Sequence, residues 1–191
     1  MQQKPRGRQF FANPGPTNIP DSVLRAIAHP SVDFAGAEFL EVYDSCVAGL
    51  KRILKTQQQL FMYTASGHGA WEATLTNLCS AGDRLLMLES GYFSDTWAGM
   101  AEKLGLFVET LPADRRRGVD LRALRARLDE DSAHRLHALC VVHNETSTGL
   151  VQPLAAIRGV LDDARHPALL LADVISSLAS FDFRMDEWGV D

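Results

Sequence analysis

Two unbroken apolar pentapeptides constrain this chain more than any other feature. They are Ala138-Leu139-Cys140-Val141-Val142 and Ala168-Leu169-Leu170-Leu171-Ala172. A strand with one solvated face alternates apolar and polar residues. A strand that is apolar throughout is covered on both faces. Helices supply that cover in βαβ units, so the runs predict an α/β fold with a mostly parallel sheet.

The remaining pattern agrees. Further strands are expected over Leu60–Tyr63, Arg84–Leu88 and Leu106–Leu111, and the two runs complete a set of five. Helical spacing lies between them, over Ala70–Cys79, Ser94–Leu104, Asp120–Leu128 and Leu154–Ala164. Before the first strand, a short helix is expected over Asp21–Ala28. A longer one over Ala37–Lys55 aligns Phe39, Val42, Tyr43, Val47, Leu50 and Leu54 on one face. Residues 1–20 read as a separate N-terminal segment, polar at its start and turn-rich at Asn13-Pro14-Gly15-Pro16-Thr17-Asn18, and 21–191 read as one domain.

Composition narrows the function classes. The chain has 191 residues, 46% of them hydrophobic and 23% charged, with a formal net charge of −5. That is enough for one domain with a core, and it offers no basic stripe for nucleic acid. Arg115-Arg116-Arg117 is the basic run. It reads as a solvated loop, with a phosphate or partner contact as the alternative. Cys46, Cys79 and Cys140 are odd in number and lack C-x-x-C spacing, which argues against a disulfide framework and a zinc site. No apolar run approaches the ~18 residues of a membrane span, and residues 1–8 do not resemble a secretory leader. A cytoplasmic, soluble protein is the expectation.

In such a sheet, ligands bind beyond the carboxyl ends of the strands. The residues there are Thr64-Ala65-Ser66-Gly67-His68-Gly69, Glu89-Ser90-Gly91-Tyr92-Phe93, His143-Asn144-Glu145-Thr146-Ser147-Thr148-Gly149, and Asp173. Ser66-Gly67-His68-Gly69 reads either as a plain turn or as a phosphate cradle at a helix N-terminus. Asp173 reads as a helix cap, a buried hydrogen-bond acceptor, or a counter-ion for a ligand cation. Tyr92 and Phe93 are core aromatics or stacking partners for a flat ligand. His68 and His143 read as structural histidines unless a ligand claims them. The fingerprints G-x-G-x-x-G, G-x-x-x-x-G-K-[ST] and G-x-S-x-G are absent from the sequence.

Taken in order, five words resemble the class V aminotransferases, and within them the serine–glyoxylate and alanine–glyoxylate group. They are Asn13-Pro14-Gly15-Pro16-Thr17-Asn18, Ser66-Gly67-His68-Gly69-Ala70-Trp71-Glu72-Ala73, His143-Asn144-Glu145-Thr146-Ser147-Thr148-Gly149, Asp173-Val174-Ile175-Ser176-Ser177-Leu178 and Asp186-Glu187-Trp188-Gly189-Val190-Asp191. The resemblance implies the large domain of the fold type I aminotransferases and the cofactor pyridoxal 5′-phosphate. It implies that Ser66, Gly67 and His68 cradle the phosphate, Phe93 stacks on the pyridine ring and Thr146 places a hydroxyl beside it. It makes Asp173 the catalytic partner of the ring nitrogen, and it places Gly15, Pro16 and Asn18 along the substrate pocket. The implied substrates are a small amino acid and a 2-oxo acid, and the implied assembly is a homodimer.

Two departures bear on function. Relatives often carry His-Arg where this chain has Phe34-Ala35. The Schiff-base lysine of the family follows the Trp-Gly-Val-Asp word, whereas the lysines here are Lys4, Lys51, Lys55 and Lys103, none at a matching place. The sequence is therefore expected to be a large domain lacking that lysine and the small domain, and inactive by itself. Another class V activity, such as a lyase or a different amine donor, and a non-catalytic fragment are the alternatives.

Overall fold

The computed structural model describes residue 7 and residues 12–191. The expected features of residues 1–6 and 8–11 lie outside the described residues. The chain separates into two compact units, Met1–Cys46 and Val47–Asp191. Helices α1 (Asp21–Ile27) and α2 (Ala37–Leu54) carry no buried residue, and α2 runs across the division. The apolar stripe of α2 is correspondingly open, with Phe39, Leu40, Val42 and Tyr43 all exposed.

The second unit contains α3 (Gly67–Leu78), β1 (Arg84–Glu89), α4 (Tyr92–Lys103), β2 (Phe107–Pro112), α5 (Leu121–Glu130) and β3 (Leu136–Val142). It continues with β4 (Asn144–Glu145), β5 (Leu150–Val151), α6 (Leu154–Asp163) and β6 (Leu169–Asp173). Four strands form one parallel sheet in the order β2-β1-β3-β6. Side-chain alternation explains why the two pentapeptides are wholly apolar. In β3, Leu139 and Val141 face a core shared with Leu124 of α5 and Ile157 of α6, while Ala138, Cys140 and Val142 face Trp71 of α3 and Trp97 of α4. Every one of these β3 side chains is buried. Cys140 is thus a core residue, and burial pushes its thiol far above the usual range.

The expected strand over Leu60–Tyr63 does not form. A strand needs a ladder partner. The sheet ends at β6, and no described strand lies beside residues 60–63, so Phe61, Met62 and Tyr63 are exposed. On its outer side β6 meets Asp191, whose amide donates to Leu170 O at 3.0 Å and whose Oδ2 accepts from Leu170 N at 2.9 Å. The other strands and helices lie within three residues of the expected bounds. The β4–β5 hairpin, which folds the loop after β3 back on itself, was not expected.

Arg115, Arg116 and Arg117 are exposed in the turn after β2. Arg115 reaches Glu89 and Arg117 reaches Asp114, so the run is a solvated loop. No helix among the described residues is long and apolar enough to cross a membrane.

Candidate active site

The parallel sheet delivers β1, β3 and β6 to one rim, and the loops there converge around Asp173. Asp173 is the last residue of β6. It is held in register by the Val142↔Asp173 pairing and by the His143 amide, which donates to Asp173 O at 2.8 Å. Asp173 is 8% exposed. Oδ1 accepts from the Ile175 amide at 2.8 Å, and Oδ2 accepts from the Trp71 indole at 3.1 Å. Burial pushes the carboxyl above its ordinary range, and the two donors pull it back. Among the described residues no lysine or arginine pairs with it. The arrangement is a carboxylate held by two neutral donors, with His68 as the nearby group that favours its charge. Such a group favours a cationic hydrogen-bond donor as its ligand.

Helix α3 supplies the neighbouring wall. Its first turn contains Gly67, His68 and Gly69, so these residues sit inside the helix rather than in a loop after a strand. Gly69 and Ala70 donate to Ser66 O at 2.9 and 3.4 Å. The amides of Gly67 and His68 have no acceptor among the described residues and lie at the positive end of the helix dipole. A Cβ built on Gly67 would stand 3.4 Å from Ile175 Cγ1, the side chain of the residue whose amide holds Asp173. One at Gly69 would stand 2.5 Å from Ala65 Cβ, so a larger residue there would displace the Thr64–Ser66 approach to the helix. Gly67 and Asp173 line one cleft of about 270 Å³ together with Trp71, Trp97 and Ile175. Ser66, His68, Phe93 and Thr146 do not line this cleft.

Aromatic rings form the third wall. Trp71 stacks on Trp97 at 5.5 Å and meets His68 at 4.5 Å and Phe93 at 6.4 Å. Phe93 is half-buried against this cluster, whereas Tyr92 is exposed beside it. His143 is buried among Phe181, Phe183 and Trp188, and its Nδ1 lies 2.9 Å from Ser177 Oγ. That is the structural reading of His143, and burial lowers its pKa. Thr146 is half-buried at the turn of the β4–β5 hairpin.

A second helix N-terminus faces the same rim, but the protein fills it itself. Glu145, fully buried, accepts from the amides of Phe93 and Ser94 at 3.1 and 3.2 Å. Ser147 Oγ accepts from the Tyr92 amide at 3.0 Å. The positive end of α4 is thereby closed to an external anion, and α3 is the helix that remains open.

Gly15, Pro16 and Asn18 belong to the other unit. Gly15 and Pro16 are exposed and Asn18 is half-buried. Phe34, in the word that departs from the family pattern, is exposed.

Comparison with known proteins decides the family. The model of the class-V aminotransferases matches residues 9–191. The chain belongs to the class-V aminotransferase family. This aminotransferase chain is 40% identical to serine–glyoxylate aminotransferase of Arabidopsis thaliana over 97% of its own length and 46% of the relative's. It is 42% identical to L-aspartate–glyoxylate aminotransferase of Paracoccus denitrificans, over 93% of this chain and 45% of that one. The crystal structure of an alanine–glyoxylate aminotransferase from Nostoc sp. superposes with a TM-score of 0.87 at 32% identity, covering 100% of this chain and 50% of that one. The chain spans about half the length of the curated relatives it matches. Class V aminotransferases use pyridoxal 5′-phosphate.

The residues present fit that cofactor. The buried carboxylate of Asp173 would suit a pyridine N–H⁺, and the amides of Gly67 and His68 at the start of α3 would suit a phosphate. No described lysine stands at this rim. Lys51 donates to Gln57 O, Lys55 pairs with Asp182, and Lys103 ends α4 at the pole opposite Phe93. Two contributors escaped the sequence reading. Trp71 lay in a recognised word but carried no assigned role, and Glu145 lay in a rim loop without one.

Proposed function

We propose that the protein containing this chain moves an amino group from a small amino acid, such as serine or alanine, to glyoxylate or a similar 2-oxo acid. The observation that carries the reading is Asp173: a buried carboxylate, fixed by Trp71 and Ile175, at the mouth of a parallel sheet. The names of the glyoxylate aminotransferases it resembles support the substrate classes.

Each residue then has a task. Asp173 holds a proton on the ring nitrogen of pyridoxal phosphate; a carboxylate partner favours that proton by roughly 1.4–4 kcal/mol. Ser66 and the amides of Gly67 and His68 would bind the phosphate, and Phe93 would stack on the ring. Thr146 offers a hydroxyl beside it, and Gly15, Pro16 and Asn18 border the substrate. When bound, the cofactor supplies a sink for the electron pair released at the substrate Cα. Trp71, Trp97 and Phe93 make the surroundings apolar, which excludes water and strengthens the Asp173 interaction.

The assembly we propose is a homodimer, to be checked by sedimentation of the active protein. The substrate reading is tested by profiling amino donors and 2-oxo acceptors. Serine or alanine with glyoxylate is expected to give the highest kcat/KM. A profile in which neither donor transaminates glyoxylate would refute it.

A further inference from the structure

The carboxylate of Glu145 has no task in the chemistry above, yet it is the most completely satisfied acceptor at the rim. It is 0% exposed. Oε2 accepts from the Phe93 and Ser94 amides at 3.1 and 3.2 Å, and Oε1 accepts from the Ser147 amide and hydroxyl at 3.0 and 2.7 Å. All four donors are neutral. Its own strand, β4, lies in the loop after β3, and it bonds α4 across more than fifty residues of sequence.

The reason lies in the start of α4. The residue preceding the helix is Gly91, which has no side chain with which to cap it. A Cβ at Gly91 would stand 2.5 Å from Ser147 Oγ and 2.8 Å from Glu145 Cγ. The caps therefore arrive from another loop, and the absence of a side chain is what admits them. An ordinary N-cap holds a helix end with one hydroxyl or carboxylate from the adjoining residue. Here a buried carboxylate on a separate loop fixes the second and third amides of the first turn, and a serine fixes the first. Phe93 lies in that turn, and its ring meets Trp71, the residue that donates to Asp173.

We propose that Glu145 is a positioning residue, which sets the Phe93 ring against Trp71 by tying the first turn of α4 to the loop after β3. This rests on the proposed pyridoxal-phosphate site only for its consequence, the placement of a ring that covers the cofactor. Glu145 also brings negative charge near Asp173 without touching it.

The test is a double-mutant cycle of Glu145→Gln and Phe93→Ala in the full-length protein. Pyridoxal-phosphate affinity is read from quenching of tryptophan fluorescence. Glutamine keeps the size and one acceptor oxygen but loses the charge. A charge-assisted hydrogen bond lost here is expected to weaken affinity about tenfold in the wild-type background. In the Phe93→Ala background the same change should weaken it less than about twofold, because the ring that Glu145 places is gone. Equal losses in both backgrounds, or none in the first, would overturn the proposal. Hydrogen exchange of the Phe93 and Ser94 amides provides an arm independent of the cofactor. Glu145→Gln should speed exchange at these two amides selectively, and unchanged protection would overturn the proposal. Should the unmutated protein fail to bind pyridoxal phosphate, the cofactor reading falls and the exchange arm alone decides the role of Glu145.

Discussion

Replacing Trp71 with Phe should destabilise the protein in a pH-dependent way, and the size of the effect follows from the hydrogen bonds of Asp173. The indole donates to Asp173 Oδ2 at 3.1 Å, and the Ile175 amide donates to Oδ1 at 2.8 Å. Losing one hydrogen bond to a buried charged group costs roughly 1.5–3 kcal/mol. Weakening the stack on Trp97 adds about 0.5–1.5 kcal/mol. The two parts differ in their pH dependence. Burial raises the folded-state pKa of Asp173 above its ordinary 3.8, so the folded protein binds this proton more readily than the unfolded chain. Stability from this group therefore grows as pH falls through the raised value and is lost as pH rises above it. Without the indole donor the raised value moves further up. The loss in Trp71→Phe should thus be largest at neutral pH and shrink towards the ordinary carboxylate range, leaving only the packing part. Urea unfolding of wild type and variant, compared at each pH, isolates the difference from all other titrating groups. The same comparison in an Asp173→Asn background should show only the pH-independent part. A loss that stays constant with pH, or that is equally pH-dependent without the carboxylate, would refute the reasoning.

Two further substitutions probe the rim. Gly91→Ala places a Cβ 2.5 Å from Ser147 Oγ, and overpacking of this kind should cost about 1–3 kcal/mol in thermal or urea unfolding; an unchanged midpoint would contradict the tight approach. Gly67→Val meets Ile175 from 3.4 Å and should weaken pyridoxal-phosphate affinity far more than it lowers the unfolding midpoint, with unchanged affinity by titration as the contrary result.

The sheet and its two-sided burial were legible because they are local patterns. Five apolar residues in a row at Ala138 and again at Ala168 have few other uses. Leu60–Tyr63 carries the same signal but makes no strand here, because a strand also depends on what lies beside it. Asp173 was legible as a polar residue directly after an apolar run. Its partner was not, since Trp71 lies 102 residues earlier and no periodicity links the two. Glu145 was hidden for a related reason. A helix preceded by Gly91 has no side chain at its N-cap, which signals that the acceptor for its first amides comes from elsewhere but does not say from where. Of the two helix ends at the rim, α4 is closed by Glu145, whereas the amides of Gly67 and His68 at the start of α3 have no acceptor among the described residues.

The central claim is that Asp173 holds the proton on the ring nitrogen, and Asp173→Asn tests it most directly. Asparagine keeps the shape and the acceptor for the Ile175 amide but removes the charge. In the full-length protein the variant is expected to retain measurable pyridoxal phosphate. Turnover should fall roughly 10- to 1000-fold, corresponding to the 1.4–4 kcal/mol of lost proton stabilisation. Near-normal turnover with bound cofactor would contradict the assignment.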